Sequence, residues 1–308
     1  MTIRSSIKYA PIPIDEDWGS VVPITLNRVG LISKYSLVVV LGTLEGGTSP
    51  AYTVTGSNPA VTHINVEADN DTLYDADTDM IQELNKLSFG YVATGQNFRI
   101  DMADIDMIKK RHVAGTEFPS YLYNTNTLRV TLPPLSTITS GSPTGTSGSQ
   151  LLLVEDQLNY PQSVPLSKVK KLQSSFNLSA TGDNILNPSP TFTVDGSYKA
   201  VLYQTKVGGS LTDSAVDYIS LTLNTSSVLE DDYWTTLKQT DYEELHEEPD
   251  TGYAMRVYMA GGSEPKDASE LLYLLNSQQV RSVVQNFHVI SGTTTPVAVK
   301  TMKIEYMV

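Results

Sequence analysis

The chain has 308 residues, 40% of them hydrophobic and only 18% charged, with no cysteine and a formal net charge of −13. That length fits about two domains of roughly 100–200 residues each. The acidic surplus argues against a nucleic-acid partner, which needs clustered Lys and Arg to neutralise phosphates, and the absence of thiols excludes disulfides and thiolate metal sites.

With so few charges, the polar surface must come from Ser, Thr, Asn, Gln and Tyr. Together with 17 Tyr, 20 Gly and 16 Pro, this suits strands and turns better than long charged helices. The expected class is all-β with short helices in loops.

In chain order, residues 1–20, with Pro11, Pro13 and nearby Pro23, read as an extended N-terminal arm. They contain no apolar segment of secretory-signal length. Tyr35–Gly42 follows as a strand; its aliphatic run Leu37–Leu41 is far short of the roughly 20 residues that span a bilayer. Ile64–Ala68 alternates apolar and polar residues, the period-two mark of a strand with one buried face. An acidic stretch, Asp69–Asp79, reads as a turn whose last Asp caps a helix over 79–87. Asp79 and Gln82 have capping-box spacing, and Met80, Leu84 and Leu87 recur at helical intervals. FRIDMA, residues 98–103, is again strand-like, followed by a short helical piece at 104–111 and a strand at 128–132. Residues 136–150, STITSGSPTGTSGSQ, read as a flexible loop before a strand beginning at Leu151. Two prolines in 157–165 mark a join.

The second half repeats this order. Tyr198–Gly208, Ile219–Leu223, MRVYMA at 255–260, Asn286–Ile290 and Met302–Tyr306 echo the five strands of the first half, at offsets of about 151 to 163 residues. Helical pieces at 232–237, capped by Asp232, and at 267–275 fall in slots matching those of the first half. Residues 1–160 carry ten basic and seventeen acidic side chains, and residues 161–308 carry eleven and seventeen, an even division that suits like modules. One architecture written twice is the expectation: an arm at 1–20 and sandwiches at 21–160 and 161–308. Connections crossing the ends of each sandwich imply Greek-key or jelly-roll topology, and the long helices of a parallel α/β fold are missing.

Chemistry is sparse. A metal-bearing β-barrel needs converging imidazoles, but His63, His112, His246 and His288 lie far apart in the chain, and strand histidines are ordinarily packing or surface residues. No Gly-x-Ser-x-Gly elbow is present, and Gly-rich pieces at 44–48 and 207–210 lack the Lys-Ser/Thr ending of a phosphate loop. Asp75, Asp77 and Asp79 imitate the first three ligands of a calcium loop, but Met80 and Lys86 stand where an EF-hand needs Gly and Glu. These three remain the metal candidate, for a loop-bound calcium, beside the plainer reading as a helix-capping turn. Glu243, Glu244, Glu247 and Glu248 near Pro249 read as a solvated loop, and the basic runs at 109–111 and 168–171 as solvated faces or contact points. No catalytic or cofactor-binding residue stands out, so the chain is not expected to be an enzyme.

Tyr253–Gly261, the 269–279 segment and the closing Met302–Met307 strand are similar to the double jelly-roll major capsid proteins of tailless icosahedral, membrane-containing bacteriophages. The corticovirus type is nearer and the tectivirus type more distant. Arg28–Ile32 and Ile64–Leu87 resemble such coat proteins as well. The resemblance implies two tandem jelly-roll β-sandwiches and a homotrimer of six jelly rolls forming a pseudo-hexagonal capsomer in an icosahedral virion. It also implies contacts with neighbouring capsomers and with minor capsid or vertex proteins, and indirect contact with an internal viral membrane. Synthesis in the host cytoplasm and no specific nucleic-acid binding go with it, and Arg4 and Lys8 become candidates for inter-capsomer or membrane-facing contacts. The competing reading is a receptor- or carbohydrate-binding tandem β-sandwich of spike type, which would display Trp or Tyr on a sheet. Only Trp18 and Trp234 exist, and Trp234, beside a helix, reads as core.

Overall fold

The computed structural model describes residues 3–91, 94–107, 111–113, 115–159, 168–194, 196–224, 227–258, 275–276 and 281–307. The chain divides into two units. The first comprises Met1–Lys86, Tyr91–Ile105 and His112–Val169; the second comprises Leu87–Gly90, Asp106–Arg111 and Lys170–Val308. The helix expected over 267–275 falls on residues outside the described set, apart from Leu275.

Eight longer strands among the described residues build the first unit: β1 (Ile3–Lys8), β2 (Val21–Thr25), β3 (Leu31–Val40), β4 (His63–Ala68), β5 (Asp71–Asp77), β6 (Asn97–Asp101), β7 (Asn126–Thr131) and β8 (Gln150–Asn159). Helix α1 (Thr78–Phe89) lies between β5 and β6. They pair as two antiparallel sheets, β1-β8-β3-β6 and β2-β7-β4-β5. Alternation decides which side chains face the core. On β3, Ile32, Tyr35, Leu37 and Val39 are buried, as are Leu151 and Leu153 opposite them on β8. On the other sheet, Val22, Ile24, Ile64, Val66, Leu128 and Val130 are buried. At about 25 cal/mol per Å2 of apolar surface removed from water, each such side chain contributes roughly 1.5–3 kcal/mol.

The second unit has the same plan. Its strands are β9 (Lys168–Leu178), β10 (Gly182–Leu186), β11 (Ser197–Val207), β12 (Val216–Leu223), β13 (Ser227–Tyr233), β14 (Tyr253–Val257), β15 (Val283–Val289) and β16 (Val297–Met307), with α2 (Trp234–Leu245) between β13 and β14. The sheets are β9-β16-β11-β14 and β10-β15-β12-β13. Tyr198, Val201, Tyr203, Val297 and Val299 of one sheet pack with Ile219, Leu221, Phe287 and Val289 of the other, and Trp234 and Leu237 of α2 join them. Phe192 meets Tyr198 edge-on at 5.0 Å, and Tyr203 meets Phe287 at 6.1 Å, the T-shaped geometry that aromatic quadrupoles favour.

Numbering each unit's strands one to eight, both sheets read 1-8-3-6 and 2-7-4-5 in both units, and each helix follows the fifth strand. That order is a jelly roll, so the chain is two jelly rolls in tandem.

Several local expectations are corrected. The segment 1–20 is not a free arm: β1 pairs with β8 along its whole length, and Ile14 is fully buried. Asp15 accepts from the Thr146 hydroxyl and from the Gly148 and Ser149 amides at 2.8–2.9 Å, and Trp18 donates to Thr146 at 3.1 Å. These bonds also hold the 136–150 loop, which forms short ladders with Thr43–Glu45 and Ala51–Tyr52 and so is not a free loop. The piece at 104–111 is extended at Ile105–Asp106 and at Arg111 rather than helical. Helix α2 starts two residues after Asp232 and runs on through Glu243 and Glu244, so those two residues lie on a helix rather than in a loop. Lys171, in the basic run expected to be solvated, is buried.

Candidate functional site

Three of the four histidines are committed to carboxylates. His63 on β4 lies opposite β5, in register with Asp77. Its Nδ1 is 2.8 Å from Asp77 and its Nε2 2.9 Å from Asp75. The hydrogen bond to Asp75, then that to Asp77, outweighs partial burial and raises the imidazole pKa from 6.5 to about 9. The His63 hydrogen bond in turn holds Asp75 below its ordinary value, against some desolvation. Asp79 is placed differently, accepting from the Met80 amide at 2.8 Å in the first turn of α1. Of the three calcium candidates, two therefore clamp an imidazole and the third bonds its own helix. The expected acidic turn is confined to Asp69 and Asn70, because Tyr74 and Ala76 turn into the core opposite Val66 and Ile64 and carry Asp75 and Asp77 along as the outer face of a strand. Among the described residues, no group of three or more His, Cys, Asp or Glu side chains is placed to hold a metal ion.

His112 and Arg99 converge on Asp101, which is 2% exposed. Arg99 makes two bonds to it at 2.8 and 2.9 Å, and His112 Nε2 stands 2.7 Å away. The bidentate geometry offsets part of the desolvation of this carboxylate. On the second unit, Asp183 gathers Tyr218, His288 and Asn286 at 2.8, 2.9 and 3.1 Å. The His288 hydrogen bond leads in depressing the Asp183 pKa to about 2. Tyr218 stacks on His288 with centroids 5.0 Å apart, and Tyr233 lies beside Tyr218, 62% exposed. The His63 and Asp183 clusters tie neighbouring strands together on the outer faces of sheets, and the Asp101 cluster joins β6 to the segment Arg111–His112.

Sequence reasoning missed the buried carboxylate Glu155 on β8. It accepts from Tyr9 Oη and Gln157 Nε2, both at 2.6 Å, and desolvation raises its pKa. Its local signal is a charged residue in phase with Leu151 and Leu153, on the inward side of β8. Asp213 was missed as well: it accepts from the Trp234 indole at 3.0 Å, the Gly252 amide at 2.8 Å and Lys238 at 2.9 Å. Trp234 is buried, as expected. Larger surfaces are apolar in places: Val29, Tyr121 and Leu122 are exposed on adjoining loops of the first unit, joined by an Arg28 bond to the Tyr123 carbonyl and a Ser120 bond to that of Gly30. No helix among the described residues is long and apolar enough to cross a membrane.

No protein-family model matches the chain, and no curated protein matches it. Solved structures do. The major capsid protein of STIV, Sulfolobus Turreted Icosahedral Virus, aligns over 100% of this chain and 97% of its own, with a TM-score of 0.72 at 12% identity. The major capsid protein P2 from bacteriophage PM2 aligns over 99% and 97%, with a TM-score of 0.68 at 12% identity. The PBCV-1 virus capsid aligns over 99% and 94%, with a TM-score of 0.65 at 10% identity. The chain thus has the double jelly-roll fold from end to end. It is the fold of these viral major capsid proteins.

Proposed function

We propose that this chain is a structural major capsid protein, a component of an icosahedral virion shell rather than an enzyme. The observation carrying this reading is the tandem: among the described residues the eight longer strands of each unit follow one order, and similar capsid proteins align along nearly all of the chain. A coat protein needs wide lateral interfaces and no reaction centre. The histidine–carboxylate clusters, spent on tying strands together, suit that need. Two similar modules per chain let a homotrimer present six jelly rolls and nearly six-fold edges to its neighbours. Exposed Tyr121, Tyr233 and Tyr242, on a chain with only 18% charged residues, suit an interface, where aromatics are enriched and Lys and Glu depleted. Its partners are then copies of itself and neighbouring capsomers, with minor shell proteins at the vertices.

Light scattering coupled to size exclusion is the test. The expected particle has three times the 33.7 kDa chain mass, and negative-stain images should show pseudo-hexagonal outlines. A monomer at tens of micromolar, with no larger particle at any salt concentration, would sink the reading.

A further inference from the structure

One face of α2 borders an open surface depression of about 460 Å3 in the second unit, a volume comparable to that of small-molecule sites. Thr235, Lys238, Gln239 and Tyr242 line it from the helix, at the i, i+3, i+4, i+7 spacing of a single helical face. Asp213 and Glu248 complete the polar lining.

The strongest charges there are occupied. Asp213 is held by Trp234, Gly252 and Lys238, and Lys238 also donates to the Asp250 carbonyl at 3.2 Å. An anionic ligand would therefore have to displace a carboxylate from the one ammonium in the lining. Tyr242 contrasts with this: it is 60% exposed, a phenol ring left in water beside the depression. Gln239 uses one amide hydrogen on Glu243 Oε1 at 2.9 Å, which leaves its second hydrogen and its carbonyl oxygen for another group. Thr235 adds a hydroxyl that both donates and accepts.

An exposed aromatic ring beside an amide and a hydroxyl matches a molecule with C–H bonds on one face and hydroxyls around its rim. We propose that this depression binds a neutral pyranose sugar, with Tyr242 as the stacking surface and Gln239 and Thr235 as hydroxyl partners. The assignment depends on the second unit alone and stands or falls separately from the capsid reading.

Saturation-transfer NMR on the full chain tests it. The probes are the methyl pyranosides of glucose, galactose, mannose and N-acetylglucosamine, with the methyl glycoside of N-acetylneuraminic acid as the anionic comparison. At least one neutral glycoside should receive saturation, and Tyr242→Ala should weaken its binding about tenfold, the scale of one stacked ring. Tyr242→Phe should keep most of the affinity. Since Tyr242 is exposed, the Ala variant should retain the parent's circular dichroism; Gln239→Ala, which leaves the ring in place, should weaken binding by a smaller factor. The proposal is overturned if no neutral glycoside is saturated, if Tyr242→Ala binds like the parent, or if only the sialoside binds.

Discussion

Both ring nitrogens of His63 face carboxylates, so the folded chain holds a proton there that the unfolded chain releases near pH 6.5. A raised folded pKa stabilises fully below the unfolded value, and the contribution is lost as pH rises through about 9. The same pair also weakens on acidification, as Asp75 protonates. With the His63 side chain 31% exposed, solvent screening leaves about 1 kcal/mol. His63→Gln should accordingly lower the melting temperature by a few degrees at pH 6 and by almost nothing at pH 10, as thermal scans at the two pH values will show. Glu155 behaves differently, because desolvation raises a carboxyl pKa. The folded state again binds the proton more tightly, so stability present at acid pH is lost as pH climbs through the folded pKa. Glu155→Gln removes that titration. The difference in melting temperature, variant minus parent, should grow from pH 4 to pH 8; a flat difference would show that Glu155 is not desolvated.

At the level of elements, the two helices repeat a device as well as a position. Strands β6 and β14 each pair on one side only among the described strands, leaving an edge that invites further pairing. In the first unit the buried Asn85 of α1 donates to the Arg99 carbonyl of β6 at 2.8 Å. In the second, the buried Asp241 of α2 accepts from the Met255 amide of β14 at 2.8 Å. Each helix thus satisfies the backbone of the strand that follows it. Asp241→Ala should cost about 1–3 kcal/mol, the range for stranding a buried backbone donor, and should speed amide hydrogen exchange at Met255. Unchanged exchange there would mean that the helix does not guard the edge. This repetition was legible as echoes: FRIDMA and MRVYMA overlap the sixth strands, and the other four matched pairs fall on the third, fourth, seventh and eighth. Period two shows most plainly at Ile64–Ala68 and Asn286–Val289, where one face is buried, whereas Ser197–Thr205 is buried on both faces. The pairing of β1 was not legible, since IRSSIK carries little apolar alternation and its partner lies about 150 residues away. The ladders holding residues 139–147 were hidden for the same reason. The length of α2 was obscured by TTLKQTDYEEL, whose apolar residues form no continuous stripe, and the calcium-like Asp75-x-Asp77 spacing concealed a strand with its charges turned outward.

For the whole molecule, the balance between charge and apolar surface decides how copies meet. Each carries a formal charge of −13 at pH 7, so approaching copies repel at long range. Exposed Val29, Tyr121, Leu122, Ile185 and Tyr233 offer apolar contact instead, which salt does not screen. The Debye length shrinks from about 30 Å at 0.01 M salt to about 3 Å at 1 M. Association through apolar and neutral polar surfaces should therefore strengthen with ionic strength, whereas association through ion pairs should weaken. Sedimentation velocity at matched protein concentration, in roughly 0.02 M and 0.5 M sodium chloride, separates the two across that screening range. The expected result is a larger oligomeric fraction at the higher salt, with the dissociated chain gaining at the lower. An oligomer that falls apart as salt rises would place complementary charges in the interface, and the apolar residues named here would not be what joins the copies.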